Sequence, residues 1–386
     1  MSPHSSIIAM NLAVFLLMLG VGMIMALLPQ RIIDLSGSTS EVGYLASAFA
    51  LSYLLLQVPM GRMADRYGFK LFLVLGYLLC SLTGLLYFAA GSPEVIFVGR
   101  FLQGAGEAPI WALAPALLSL LYPAARGRTI GMYNASLHLG LTAGPLLGIL
   151  VAPTRAENQA FLFFAAVCLT GAAILSLFLK GGSVGQVQER SGLAFKDMRI
   201  LAGSGKVLAT FAGIVLYGAG YGMFLTVIPA FLICGKGFDR PAVAVFFSLF
   251  YVAVSFSQGV AGPLSDLKGR RAFMVSGILM AAFGLAVFPA FGQPWMYVLL
   301  TTAGLGLGVF CVSSMAFLNE AVPDSLKGTV SGAYYLSWGV GYFFGPLAAG
   351  RMSTSVGFQA VFLLLALLLV VEAGALALVQ WRVRGG

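Results

Sequence analysis

Charge is what this chain has least of. Only 9% of its 386 residues are Asp, Glu, Lys or Arg, against roughly a quarter in an average soluble domain. So few charges cannot clothe a water-facing surface, which excludes a soluble globular protein. Histidine occurs twice and cysteine four times, and Cys80, Cys168, Cys234 and Cys311 lie far apart with no metal or redox spacing. They are read as small apolar packing residues. The chain also lacks a phosphate-cradling glycine loop and a nucleophile elbow, so it carries no signature of an enzyme, a cofactor or a metal. The N-terminus "MSPHSSIIAMN" has no basic region and no small-residue cleavage site, and is read as the start of a retained first span.

What is there instead is apolar length. Hydrophobic residues make up 60% of the chain, and the mean hydropathy is +0.96. Twelve apolar runs are centred within 7–28, 42–60, 71–90, 95–121, 129–151, 160–179, 207–232, 242–261, 272–290, 295–318, 329–349 and 357–380. Each can cross roughly 30 Å of hydrocarbon as a helix. Helix is the required form, because lipid offers no partner to an unpaired backbone group. The expected class is an all-α integral membrane protein in a lipid bilayer.

The net charge of +9 records orientation and points to no nucleic-acid partner. Of the 22 Lys and Arg residues, Arg100 lies within a span. Arg31, Arg155, Lys236, Arg240 and Arg351 fall in one set of alternate loops, and the other sixteen fall in the opposite set or at its termini. By the positive-inside rule both termini are expected in the cytoplasm. Size and simplicity point to a bacterial inner membrane.

The chain is written twice. At a shift of 200, Gly20, Gly22, Met23 and Pro29 fall on Gly220, Gly222, Met223 and Pro229. At 201, Gly61, Asp65 and Gly68 fall on Gly262, Asp266 and Gly269, and Gly140, Gly144 and Pro145 on Gly341, Gly345 and Pro346. This predicts two six-helix bundles, 1–180 and 206–386, joined by a Gly- and Ser-rich cytoplasmic linker, 181–205. Six spans per copy give both halves one orientation, related by an axis along the membrane normal, with a site at their interface.

The stretch "GRMADRYGFK" (61–70) joins spans two and three, and "GPLSDLKGRR" (262–271) joins spans eight and nine. Both resemble the G-x-x-x-D-R-x-G-R-K loop of the major facilitator superfamily. The first matches at Gly61, Asp65, Arg66, Gly68 and Lys70, with Phe69 in place of the first basic residue. The second matches at Gly262, Asp266, Gly269, Arg270 and Arg271, with Leu267 and Lys268 between. "LGVGMIMALLP" (19–29), "RFLQGAGEA" (100–108) and "GLTAGPLLGI" (140–149) resemble motifs of that family's twelve-span drug:proton antiporters. The last matches at Gly140, Gly144, Pro145 and Gly148, with Ile149 replacing a glycine. Since the Gly-Pro pattern returns in span eleven, part of that signal belongs to helix packing.

The resemblance implies twelve transmembrane helices in two pseudo-symmetric bundles, alternating access, a monomer, and a small-molecule substrate exchanged for protons. It implies a conformational latch at Gly61, Asp65, Arg66, Gly68, Asp266, Gly269 and Arg270. There Gly68 allows a turn at positive φ, and the aspartate pairs with an Arg or with a helix N-terminus of the other half.

Duplication also separates architecture from function. Arg100, Gln103 and Glu107 map to Thr301, Gly304 and Gly308, and Asn134 and His138 to Tyr335 and Gly339. The polar intramembrane set thus belongs to the N-terminal half alone. Arg100, Gln103, Glu107 and Trp111 share one face of span four, with Arg100 and Glu107 about 10 Å apart along the axis, too far to pair directly but able to interact across a wet cavity. Ionisable groups in a membrane are functional candidates, so Glu107 is expected to carry the proton, with Arg100 as relay and His138 as a further titrating group. Gln103, Trp111 and Asn134 are expected in the substrate cavity, faced by the aromatics Tyr217, Tyr221, Tyr334, Trp338 and Tyr342, a wall suited to an amphipathic cation. Glu372 is read as structural. The expected activity is proton-driven export of a small amphipathic compound; the rivals are proton-coupled uptake of a nutrient or metabolite, and lipid or lysolipid flipping.

Overall fold

The computed structural model describes residues 3–36, 43–151, 157–179, 204–238 and 240–379. Six helices form the first half: α1 (Pro3–Ser36), α2 (Gly43–Tyr67), α3 (Phe69–Ala89), α4 (Pro93–Leu121), α5 (Arg126–Val151) and α6 (Glu157–Phe178). Six form the second: α7 (Gly205–Leu225), α8 (Arg240–Lys268), α9 (Arg270–Val287), α10 (Trp295–Ala321), α11 (Lys327–Val356) and α12 (Phe358–Leu378). Beyond Leu225, α7 breaks at Thr226 and continues through Val227–Ala230 into a π-helical turn, Phe231–Gly235.

Among the described residues nine helices are long and apolar enough to cross a membrane. The other three, α2, α5 and α11, have 25, 26 and 30 residues, sufficient length for a span. Leu51, Leu55, Leu82, Phe283, Leu367 and Val371 lie exposed along the helices, an outward-facing apolar coat that lipid covers and water would not tolerate. The twelve-helix, all-α class expected from the sequence is the class observed. The expected linker 181–205 lies outside the described residues except for Ser204 and Gly205.

The repeat in the sequence is a repeat in packing. In the first half α3 lies against α4 and α6, α2 against α4, and α1 against α6. In the second, α9 lies against α10 and α12, α8 against α10, and α7 against α12. The chain divides into two compact units, but not at the middle. One comprises Met1–Tyr122, Tyr133–Val187 and Pro323–Tyr335; the other comprises Pro123–Met132, Gln188–Val322 and Leu336–Gly386. Helices α5 and α11 therefore each begin in one unit and continue in the other.

Glycine sets the helix spacing within each unit. A β-carbon on Gly76 of α3 would stand 2.5 Å from the Gly106 carbonyl oxygen of α4. One on Gly140 of α5 would stand 2.6 Å from the Phe15 carbonyl of α1, and Gly144 abuts Gly22 of α1 in the same way. In the second unit Gly341 and Gly345 of α11 press on Val215 and Ala219 of α7. The Gly140, Gly144 pattern is thus a close-approach device in both copies, with Pro145 and Gly148 continuing the same helix. Cys80, Cys168 and Cys311 are buried and form no disulfide with one another. Replacing Gly76 by Leu must force α3 and α4 apart. Melting of the purified protein is expected at least several degrees lower, whereas Gly374→Leu, which meets open space, should leave it unchanged.

Candidate functional site

Helix α4 carries a buried polar row. It starts on Pro93, a proline suited to the first turn, and runs 29 residues through Pro109 and Pro115. Gly104 lets α2 approach so closely that a β-carbon would strike the Phe49 carbonyl and the Ser52 hydroxyl. Ser52 Oγ then donates to the Phe101 carbonyl at 2.5 Å. With α2 in place, the Arg100 guanidinium lies 4.7 Å from the centre of the Phe49 ring, and its Nε donates to the Leu45 carbonyl at 3.1 Å.

From Arg100 the row is continuous. Its Nη1 donates to Gln103 Oε1 at 2.9 Å, and the Tyr87 hydroxyl of α3 donates to the same oxygen at 2.8 Å. Gln103 Nε2 donates to Glu107 Oε1 at 2.8 Å. Trp111 Nε1 donates to Glu107 Oε2 at 3.2 Å. Arg100, Gln103 and Glu107 are 6%, 0% and 2% exposed. The expected lack of direct pairing between Arg100 and Glu107 holds, but the medium between them differs from expectation. An amide bridges them instead of a wet cavity, because positions 100, 103 and 107 stack on one helix face. Among the described residues no salt bridge includes Glu107.

The remaining candidates separate into groups. His138 and Asn134 are buried on α5, with His138 Nδ1 2.8 Å from the Asn134 carbonyl oxygen. The Asn134 amide nitrogen has no hydrogen-bond partner among the described residues. The aromatic stripe of α11 divides between units. Tyr334 packs beside Tyr335, and Tyr335 meets Trp111 edge-on at 5.7 Å, all in the first unit. Trp338 stacks on Tyr342 at 4.9 Å and meets Tyr221, which meets Tyr217, all in the second. Tyr87, Phe49 and Tyr335 were not among the expected site residues. Nothing in local spacing marks them, since they reach the row from other helices.

The two charged clusters are less loop than expected. Helix α2 continues to Tyr67 and α3 starts at Phe69, so Gly68, at φ 93°, is the whole turn. Gly269, at φ 89°, does the same between α8 and α9. Gly61 lies inside α2, where a β-carbon would collide with the Gly328 carbonyl of α11. Arg66 is exposed and sits over the Tyr67 ring.

Each aspartate meets a helix N-terminus, one of the two partners expected. Asp65 Oδ1 accepts from the Gly328 amide at 2.8 Å, and Oδ2 from the Thr329 amide at 2.8 Å and the Thr329 hydroxyl at 2.6 Å. Asp266 Oδ1 accepts from the Gly127 amide at 2.8 Å and Oδ2 from the Arg128 amide at 2.7 Å. These amides belong to the first turns of α11 and α5, where backbone donors lack intrahelical acceptors. Asp266 also pairs with Arg270, which reaches Glu320 Oε1 at 2.7 Å and Ser265 Oγ at 2.6 Å. Phe69 occupies the place of Arg270 in the first copy, buried, and there the Thr329 hydroxyl completes the carboxylate's shell instead.

A buried acid joined through an amide to a guanidinium, in a twice-six helical bundle, is the build of a secondary transporter. The profile of the Major Facilitator Superfamily matches residues 10–247 and 210–385, and the chain belongs to that family. It is a membrane transporter and not an enzyme. It is 26% identical to a probable sulfoacetate transporter of Cupriavidus necator over 83% of this chain and 76% of the relative. It is 27% identical to multidrug resistance protein 2 of Bacillus subtilis over 87% of this chain and 86% of the relative. A crystal structure of the Escherichia coli fucose:proton symporter superposes with a TM-score of 0.82 at 16% identity, covering 99% of this chain and 100% of that one.

Two outcomes are expected from this geometry. Gln103→Leu leaves Tyr87, Arg100 and Glu107 each short of a partner, and should destabilise the protein by at least about 2 kcal/mol, read as a fall in melting temperature larger than that of Trp111→Phe. Burial pushes the Asp65 carboxyl up to about 6 against the pull of its three hydrogen bonds. A docked carboxyl that holds its proton more tightly than a free one docks best below the ordinary carboxylate range and loses affinity as pH rises through that value. Exchange protection of the Gly328 and Thr329 amides, corrected for intrinsic rates, should therefore fall between about pH 4 and about pH 6 and level off above that. The Asp65→Asn protein should show no such step.

Proposed function

We propose that the chain is a proton-coupled antiporter that exports a small amphipathic, cationic compound by alternating access, with Glu107 as the group that proton and substrate contest. One observation carries this reading. Glu107 is buried at the end of the α4 row, held by two neutral donors, Gln103 and Trp111, and contacted by no cation among the described residues. An unpaired buried carboxylate is costly. A proton removes that cost, and so does a cationic substrate, and the two cannot occupy it together. Competition for one carboxylate is sufficient for exchange.

The neighbouring groups suit these roles. Arg100 is committed to Leu45, Gln103 and Phe49, so it braces the row and passes its field to Glu107 through the Gln103 amide. Trp111 and Tyr335 present aromatic surface beside the carboxylate, a surface that favours cations. His138 is assigned a supporting role in proton movement and Asn134 a place in the cavity. Tyr217, Tyr221, Tyr334, Trp338 and Tyr342 are assigned the apolar parts of the substrate. Asp65 and Asp266, with the glycines around them, form latches that hold one state. The two six-helix halves, 1–180 and 206–386, joined by 181–205, are the bodies that alternate. The lysine and arginine distribution supports cytoplasmic termini, and the bacterial inner membrane is the compartment assigned.

A second reading has one observation in its favour. The relative named as a probable sulfoacetate transporter carries an organic anion by name, and uptake of such a substrate would place its acidic group on Arg100. That guanidinium already donates through two of its nitrogens to protein oxygens, which disfavours it as the binding group.

The test uses inside-out vesicles with an acidified interior and a pH-sensitive dye. An amphipathic cation should discharge the gradient through the wild type and not through Glu107→Gln. Discharge by organic anions alone would favour the second reading. Equal responses of both proteins would remove Glu107 from coupling.

A further inference from the structure

The two docked aspartates sit at one end of a longer seam, and the far end of each seam carries a cost. In the first unit α2 runs antiparallel to the opening turns of α11. Asp65 meets Gly328 and Thr329, Gly61 meets Gly328, and one turn further Gln57 meets Gly332, whose β-carbon would strike the Gln57 carbonyl. In the second unit α8 repeats the pattern against the opening turns of α5. Asp266 meets Gly127 and Arg128, Gly262 meets Gly127, and Gln258 meets Gly131 with the same collision. Gln57 and Gln258 are 201 positions apart, the register of the duplication.

Both glutamines are completely buried. By hydrogen-bond geometry neither the amide nitrogen nor the amide oxygen of either has a partner among the described residues; the Tyr53 hydroxyl, one turn before Gln57 on α2, is the polar group within reach of that amide. An amide stripped of water without a replacement disfavours the arrangement that strips it, by about five- to a hundredfold in an equilibrium. Packing alone does not call for an amide here, since an aliphatic chain of the same length fills the same space without that penalty. The residue is nonetheless an amide in both copies.

We infer that Gln57 and Gln258 are counterweights to the aspartate latches. The hydrogen bonds of the aspartate at one end of each seam favour docking of the glycine-lined helix start; the amide two turns away opposes it, and regains water when the seam parts. Opposing contributions of similar size leave the docked and parted forms within reach of one another, which a two-state element requires. The glycines keep the seam close enough to exclude water from the amide, so the same contact that permits docking creates the opposition. The link from seam opening to transport rests on the alternating-access reading above; the state of the seam itself does not.

The test substitutes methionine, close in length and volume and without amide atoms. In the full-length protein in lipid nanodiscs, Gln57→Met should slow amide exchange at Gly328 and Thr329 by about tenfold, and Gln258→Met should do so at Gly127 and Arg128. Both should raise the melting temperature. Where a transported compound is known, turnover should fall several-fold with KM unchanged. Gln57→Glu should accelerate exchange at Gly328 and Thr329. Faster exchange, a lower melting temperature, or a failure to fold in the methionine variants would mean that the docked seam uses the amide, through a buried water for example, and would overturn the inference. Unchanged exchange would overturn it as well. Absence of transport in the wild type would count against the antiporter reading and leave the exchange result standing.

Discussion

Backbone-to-backbone approach at glycine is the contact on which the rest of this structure depends. A peptide carbonyl lies where a β-carbon of Gly61, Gly104, Gly127 or Gly262 would be. In a membrane there is no hydrophobic force between helices, so packing of this closeness supplies much of the association. The same closeness brings polar groups of one helix to the backbone of another. Without Gly104, Phe49 could not carry the Arg100 guanidinium; without Gly328, Asp65 could not reach two consecutive amides. Small residues set the distances, and the chemistry occupies what the distances leave.

The α4 row shows how one helix face organises charge where solvent cannot. Arg100 and Glu107 are separated by two turns, and the Gln103 amide spans the interval by accepting from one and donating to the other. A direct ion pair would neutralise both. The bridge keeps the acid oriented with no cation in contact with it among the described residues. The second half has Thr301, Gly304 and Gly308 at these positions, so the fold does not require the row.

Much of this was legible in the sequence, and the reasons are specific. The twelve spans declare themselves because hydrocarbon demands long apolar helices. The duplication declares itself because glycine positions fixed by close contact recur at one shift. Gly68 and Gly269 are legible as turns because only glycine adopts their φ readily. The row on α4 is legible because a helix brings residues three and four apart to one face. What was not legible lies between helices: the Phe49 ring under Arg100, the Tyr87 hydroxyl on Gln103, the Thr329 hydroxyl on Asp65. Such contacts depend on crossing geometry that no single segment encodes. The extent of helix was also misjudged at Gly61, since charged residues there suggested a loop while the helix continues to Tyr67 beyond the apolar run.

Phe69 in one copy and Arg270 in the other make the two seams chemically unequal. Asp65 is held by backbone amides and a hydroxyl, all neutral, whereas Asp266 shares Arg270 with Glu320, and that carboxylate is partly open to water. Dissolved ions weaken partly exposed ion pairs and leave neutral donors nearly untouched. Ionic strength therefore reaches the Arg270–Glu320 contact, whose carboxylate is 32% exposed, more than the Asp266–Arg270 pair at 12% and 8%, and meets no ion pair on Asp65 among the described residues, so the two halves differ in their response to the salinity of the water beside the membrane.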